Sequence, residues 1–323
     1  MNESKLDYDR VFARELTEGL SQNPKRLSSK YFYDREGDRM FQKIMQLPEY
    51  YLTKAEYEIF SLQKEKIFSS IKQSEKFQIV EFGAGDGLKT KILLDYLMKQ
   101  KVNFEYLPID ISASVLKTLE KDLKQKHPTM VVKPMSMSYF DALKKLSVKH
   151  RKVLLFLGGN IGNFIYSDAK KFLKSLRANL EEDDQLLMGM DLKKHPKTIL
   201  SAYNDSRGVT KAFNLNLLRR INREFDGDFE LSDFDHYPTY DPISGETKSF
   251  LISLKEQNVR LNALNKDFHF HYAEPIFTEI SKKYDLEEIN RLAKESGFMV
   301  QKNFFDCKSY FVDSLWKASN EDL

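Results

Sequence analysis

Residues 80–91 read VEFGAGDGLKTK. Gly83, Gly85 and Gly87 stand on alternate positions after an apolar run, and a basic amphipathic segment follows. Strand, glycine turn and helix in that order bring bare backbone against a bulky ligand at the edge of an α/β sheet. A nicotinamide-binding turn has the spacing G-x-G-x-x-G, and its third glycine lets helix pack closely on strand. Here that place holds Leu88, and Gly87 comes one residue early. Glu81-x-Gly83-x-Gly85-x-Gly87 is instead the acidic-x-G-x-G-x-G pattern associated with S-adenosylmethionine (SAM). That ligand has no pyrophosphate; it brings a ribose, an amino-acid tail and a sulfonium.

The rhythm around the turn repeats. QIVEFGAG predicts a buried strand and LKTKILLDYLMKQ a helix, with apolar residues three and four apart. FEYLPIDIS is a second strand before helix ASVLKTLEKDLKQ, and MVVKPMSMS a third, shortened by Pro134. KVLLFLGGNIGNF, the most apolar run, reads as a central strand; helix DAKKFLKSLRANL and strand QLLMGMDL follow. Such alternation implies a parallel, doubly wound sheet. At the far end, Asp285 and Glu288 predict a capping box for LEEINRLAKES, ended by Gly297. FMVQKNFFD and YFVDSLWKA are then separated by a turn too short for a crossover, so they must pair antiparallel. The expected fold is α/β: a Rossmann-like class I methyltransferase sheet with a terminal antiparallel hairpin.

Two regions break the pattern. The N-terminal part predicts a helix around Tyr8 to Leu20, a second near Arg39 to Gln46 stopped by Pro48, and a capping box of Thr53 with Glu56 opening a third. Residues 199–275 carry SAYNDSRGVTKAFNLNLLRRINREF, helical in its second half, then strands in DFDHYPTYDPISGETKSFLISL and KDFHFHYAE. We therefore expect a SAM-binding domain over 56–198 and 285–323, and a second, α+β substrate domain over 1–55 and 199–284.

Bulk composition narrows the function. Lys+Arg number 51 against Asp+Glu 48, scattered rather than blocked, so nothing points to nucleic acid or a membrane surface. Cys307 is the one cysteine, and no Cys/His set has the spacing of a zinc site, so no metal is expected. The polar N-terminus MNESKLDYDRVF lacks a secretory apolar core, and no apolar run would span a bilayer. A cytoplasmic monomer is the expectation.

For the ligand, Asp110 at the end of YLPIDIS can accept both ribose hydroxyls. It would serve equally as the N-cap of ASVL, a place for which Ser112 competes.

Seven blocks, in order, carry a resemblance: YFYDREGDRMFQKIMQLPEYYLTKAE, VEFGAGDGLKTK, YLPIDISASVL, LFLGGNIGNF, LLMGMDL, AYNDSRGVTKAFNLNLL and FTEISKKY. From about residue 25 onward the chain resembles the histidine-specific methyltransferases of ergothioneine biosynthesis. The resemblance implies SAM as cofactor and three methylations of the α-amino group of free L-histidine, giving hercynine. It implies cofactor contacts at Gly83, Gly85, Lys89 and Asp110, with Ser138 and Tyr139 standing in MSMSYF where an acidic residue often precedes an aromatic. Asn163 and Tyr203 would hold the amino-acid carboxylate. Tyr50, Glu279 and Ser281 would address the imidazole, and Tyr33 would sit near the α-amine. The residue types suit this chemistry: a neutral imidazole offers one donor and one acceptor, which a hydroxyl and a carboxylate answer. Ser249 replaces a methionine expected beside the substrate side chain, which would leave a smaller, more polar wall and leave open another free amino acid as substrate. A nicotinamide-dependent dehydrogenase on the same sheet is the other alternative.

Overall fold

The computed structural model describes residues 3–71, 76–146 and 150–319. The chain divides into two units, Met1–Tyr51 with Lys194–Ser281, and Leu52–Lys193 with Leu323 closing a second stretch that begins at Lys282.

In the second unit the first four predicted strands appear as Phe77–Phe82, Phe104–Asp110, the pair Val131–Val132 and Met135–Ser136, and Arg151–Phe156. Pro134 has no N–H for the ladder, and the third strand is accordingly split on either side of it, both pieces pairing with Phe104–Asp110. Gln185–Asp191 is the fifth strand. All of these pair parallel. Phe311–Ala318 then adds antiparallel to Gln185–Asp191, and Phe298–Phe305 antiparallel to Phe311–Ala318. The spatial order is Phe298–Phe305, Phe311–Ala318, Gln185–Asp191, Arg151–Phe156, Phe77–Phe82, Phe104–Asp110, Val131–Val132. This is the class I methyltransferase plan, with its terminal hairpin. Because the chain winds outward in both directions from Phe77–Phe82 and Arg151–Phe156, a crevice opens beyond their carboxyl ends. The glycine turn leaves the first of these strands and Leu157-Gly158-Gly159 the second. Helices Thr90–Lys99, Ala113–Lys126, Tyr166–Arg177 and Leu286–Glu295 complete the unit. Leu154, Phe156, Leu186, Met188, Phe172 and Trp316 are among the residues of its core.

The first unit has its own core, in which Phe12, Phe213, Leu217 and Phe234 take part. A sheet of order Lys25–Arg26, Pro275–Lys282, Glu246–Ser253, Phe234–Asp241 packs with helices Pro196–Tyr203 and Val209–Phe225. The AYNDSRG block is the joint between those two helices: Asp205 accepts from Val209 N at 2.9 Å and Thr210 N at 2.8 Å, so it caps the second helix. The YFYDREGD block is a second joint. Asp34 caps helix Arg35–Met45 by accepting from Gly37 N at 2.7 Å. It also takes hydrogen bonds from Asn216 Nδ2 at 2.9 Å and Arg223 Nη2 at 2.7 Å, which fixes Tyr33 beside helix Val209–Phe225. A side chain at position 37 would stand 1.8 Å from the Phe32 carbonyl oxygen, so only glycine lets the chain turn there.

One expectation fails. Helix Tyr51–Ser70 begins two residues before Thr53, and Glu56 is buried within it rather than reaching back to cap it.

Candidate active site

The cofactor side of the site is built from the second unit. Gly83, Gly85 and Gly87 all have positive φ, as a tight turn between strand and helix requires. Gly83 N and Ala84 N donate to the Ile109 carbonyl at 2.8 and 3.2 Å, tying the turn to the end of the neighbouring strand. Asp110 Oδ2 accepts from Gly85 N at 3.1 Å and Oδ1 from Ser112 N at 2.9 Å. The helix cap that Asp110 might have supplied belongs to Ser112, which accepts from Val115 N. Asp110 is thus positioned by the glycine turn itself.

Glu81 anchors the turn from beneath. It is buried, accepts from Thr90 Oγ1 at 2.5 Å, and receives a short hydrogen bond from the Tyr106 hydroxyl. Burial pushes its carboxyl up to about 7, against the pull of those two donors. Its role in the motif is therefore structural, and Thr90 and Tyr106, unremarked in the sequence, are its partners. Tyr139 Oη would lie 2.7 Å from a Cβ placed on Gly83. Burial, followed by the nearby Asp110 and Glu81 carboxylates, pushes its phenol up to about 12, so it stays a neutral donor. Ser138 caps helix Tyr139–Lys145, accepting from Asp141 N and donating to Asp141 Oδ2 at 2.6 Å.

Lys89 pairs closely with Glu56, whose carboxylate also accepts from Gly158 N at 2.8 and 3.0 Å. Glu56 thereby joins the glycine turn to the Gly158-Gly159 turn across the crevice. Burial works to lower the Lys89 ammonium pKa, but Glu56 outweighs it and the pKa is raised. Asp313 lies close by. Burial first, then the Glu56 carboxylate, raises its pKa well above the ordinary range. Glu56 escaped the sequence reading because its spacing from Thr53 fits a capping box. The overlooked signal was a carboxylate on the apolar face of its helix, between Ala55 and Ile59.

The arrangement fits SAM. No atom lies within 4 Å of where a Cβ on Gly85 would stand, so bare backbone borders open space beside the Asp110 carboxylate. A ribose diol needs such an acceptor, and an adenosyl group needs such an approach. Asn163 ends the short 3-10 turn Asn160–Asn163 beyond the fourth strand and is exposed. It does not cap the next helix, whose N-cap is Ile165.

The remaining predicted residues lie in the first unit. Tyr203 donates to Ser281 Oγ at 2.8 Å, so two side chains assigned from separate blocks meet. Glu279 is two residues before Ser281 on the same strand and shares its face. Tyr33 and Tyr50 belong to one aromatic cluster. The Tyr33 ring meets Phe41 at 5.7 Å and Phe213 at 5.8 Å, and Phe41 meets Tyr50 at 6.2 Å. Phe213 itself is a core residue, 3% exposed.

Ser249 does not take the place expected of it. Phe250 and Phe277 touch, with ring centroids 5.7 Å apart, which puts Phe250 on the face that carries Phe277, Glu279 and Ser281. Ser249 is buried on the opposite face with Thr278, which donates to its carbonyl at 2.9 Å. The strand's alternation decides this; position in the sequence alone did not.

With this geometry in view, the comparisons are decisive. The sequence profile of the histidine-specific, SAM-dependent methyltransferases matches residues 12–318. The chain belongs to that family. It is 32% identical over 284 residues to a histidine N-alpha-methyltransferase of Mycolicibacterium smegmatis, covering 88% of each chain. It is 27% identical over 316 residues to ergothioneine biosynthesis protein 1 of Schizosaccharomyces pombe, covering 93% of this chain and 41% of that one. Among solved structures, mitomycin 7-O-methyltransferase superposes with a TM-score of 0.50 at 11% identity, over 98% of this chain and 67% of that one, a likeness of fold alone. The protein is a SAM-dependent methyltransferase, and the nicotinamide alternative falls. No helix among the described residues is long and apolar enough to cross a membrane.

Proposed function

We propose that this histidine-specific methyltransferase transfers three methyl groups from SAM to the α-amino group of free L-histidine, giving hercynine, as a cytoplasmic monomer of an ergothioneine-type pathway. One observation carries the substrate assignment. Glu279 and Ser281 share one strand face, with Ser281 held by the Tyr203 hydroxyl, an arrangement that offers a carboxylate and a hydroxyl to the two nitrogens of an imidazole.

In this reading Gly83 and Gly85 admit the cofactor to bare backbone. Asp110 accepts its ribose hydroxyls, and Tyr139 and Ser138 border its base. Lys89, held by Glu56, retains donors for its carboxylate. When bound, SAM supplies an electrophilic methyl on a sulfonium. The protein's share is alignment and a neutral nucleophile. The α-amine of a free amino acid is mostly ammonium at neutral pH, so it must lose a proton before it attacks, and the SAM cation beside it favours that loss. Tyr33 orients the amine or takes its proton through water. Asn163 would hold the carboxylate, joined by Tyr203 when its hydroxyl turns from Ser281 to the substrate, and neither places a full positive charge near the reacting centre. The faces of Tyr33 and its aromatic neighbours suit a methylammonium, each such contact contributing about 0.5–2 kcal/mol, which favours retention through successive rounds.

Calorimetry tests the pairing of ligands. SAM should bind the wild type and NADH should not. Glu279→Ala should raise the Michaelis constant for histidine at least tenfold with SAM affinity little changed; a parallel loss of both would make Glu279 a structural residue instead. Light scattering of the purified protein checks the monomer.

A further inference from the structure

The geometry points to a divalent-metal site of the zinc class formed by Glu256, His269 and His271, apart from every residue assigned to SAM or histidine. Strands Gln257–Leu261 and Lys266–Phe270 form an antiparallel hairpin in which Asn258 faces His269. Phe268 and Phe270 turn into the core, so His269 and His271 emerge together on the outer face. Glu256 comes just before the partner strand and brings its carboxylate between them. His269 Nε2 is 2.7 Å and His271 Nδ1 3.1 Å from the same oxygen, Glu256 Oε1. One atom from each of the three residues lies within 4.8 Å of the others.

Surrounding contacts orient these atoms as metal ligands. His269 Nδ1 stands 2.8 Å from Asn258 Oδ1. An amide oxygen only accepts, so Nδ1 carries the proton and a neutral His269 turns the lone pair of Nε2 toward the carboxylate. That second hydrogen bond, fixing tautomer and ring orientation, is what metal-ligating histidines have. Glu256 Oε2 accepts from Tyr272 N at 3.3 Å, which holds the carboxylate in place. Glu256 Oε1 thus stands within reach of the His269 Nε2 lone pair and, with the His271 proton on Nε2, of the His271 Nδ1 lone pair, and a divalent cation would take all three atoms as ligands. Zinc takes imidazole nitrogen at about 2.0–2.1 Å and carboxylate oxygen at about 2.0–2.2 Å, so the three atoms need only open slightly, and water supplies a fourth ligand. Two histidines and a carboxylate form a known zinc ligand set. Spacing alone does not show this set, because Glu256 is not adjacent to DFHFHYAE; the hairpin brings them together.

The test is a Zn²⁺ titration of the untagged, full-length protein against a chromophoric chelator, with Co²⁺ absorption as a second readout. One tight equivalent per chain is expected. His269→Ala, His271→Ala and Glu256→Gln should each weaken binding at least tenfold, while His127→Ala, in the second unit and outside this cluster, should not. Circular dichroism checks that each variant is folded. Failure of the wild type to bind one equivalent, or binding undiminished in a His269→Ala/His271→Ala double variant, overturns the site.

Discussion

A methyl group added at Gly83 would stand 2.7 Å from Tyr139 Oη, on a backbone held at φ +69°. Both the contact and the dihedral oppose any side chain, at a cost of about 1–3 kcal/mol from the backbone alone. Gly83→Ala should therefore weaken SAM binding by at least tenfold, measured by calorimetry, while circular dichroism still reports a folded chain. Tyr203→Phe removes the hydroxyl that bonds Ser281. It should raise the histidine Michaelis constant more than it lowers turnover, since the lost contact acts in binding rather than in transfer. The sequence exposes Gly83 and Asp110 because their chemistry follows from a local pattern. It does not expose the Tyr203–Ser281 contact, which joins residues 78 apart.

At the scale of elements, the capping box at Asp285 and Glu288 is present as predicted, with Asp285 accepting from Glu288 N at 2.8 Å and Glu288 from Asp285 N at 3.1 Å. Asp285→Ala should lower stability by about 1 kcal/mol in urea unfolding. The same four-residue signature misleads at Thr53 and Glu56, because spacing does not reveal which face of a helix is buried. What Glu56 does instead has a sharper consequence. Burial holds the Asp313 pKa up, so Asp313→Asn, which keeps the shape and carries no charge, should change stability by no more than about 1 kcal/mol. Glu56→Gln leaves the Lys89 ammonium without its partner and should cost about 3–5 kcal/mol. Equal losses in the two variants would contradict this division of charge. Most strands and helices of the sheet were legible, since burial on both faces leaves continuous apolar runs that helices punctuate; helix Tyr139–Lys145 was not. The faces of the strands in the first unit were less so: Ser249 and Phe250 differ by one residue, and one residue exchanges the two sides of a strand.

For the molecule as a whole, each unit has its own response to pH. Glu81, in the second unit, has its carboxyl raised from 4.5 to about 7 by burial. The folded form then holds a proton that the unfolded form has lost, so this contribution is full below about pH 4.5 and disappears as pH rises through 7, a change of about 3 kcal/mol. Trp316, the one tryptophan, is buried in the same unit, so its fluorescence follows that unit's unfolding. Glu81→Gln should lessen the fall in stability between pH 4.5 and 7 that the wild type shows in this signal, and leave the share that raised Asp313 contributes. In the first unit His236 is buried with neither ring nitrogen bonded, and burial pushes its pKa from 6.5 to about 4. Here the sign is opposite: stability is full above about pH 6.5 and declines as pH falls through 4. Amide exchange of first-unit peptides should show acid sensitivity in the wild type and less in His236→Phe. Glu81 opens the glycine motif, yet neither its shift nor that of His236 was legible in the sequence, because a desolvated charge is a property of what surrounds it.

The central claim is that this methyltransferase acts on the α-nitrogen of a whole free amino acid, histidine. Its most direct test is tandem mass spectrometry of the product after the purified protein is incubated with SAM and a mixture of free amino acids. The account predicts histidine heavier by three methyl groups, all on the α-nitrogen, with the imidazole unmodified. Methylation of the ring, or no methylated amino acid at all, would contradict it.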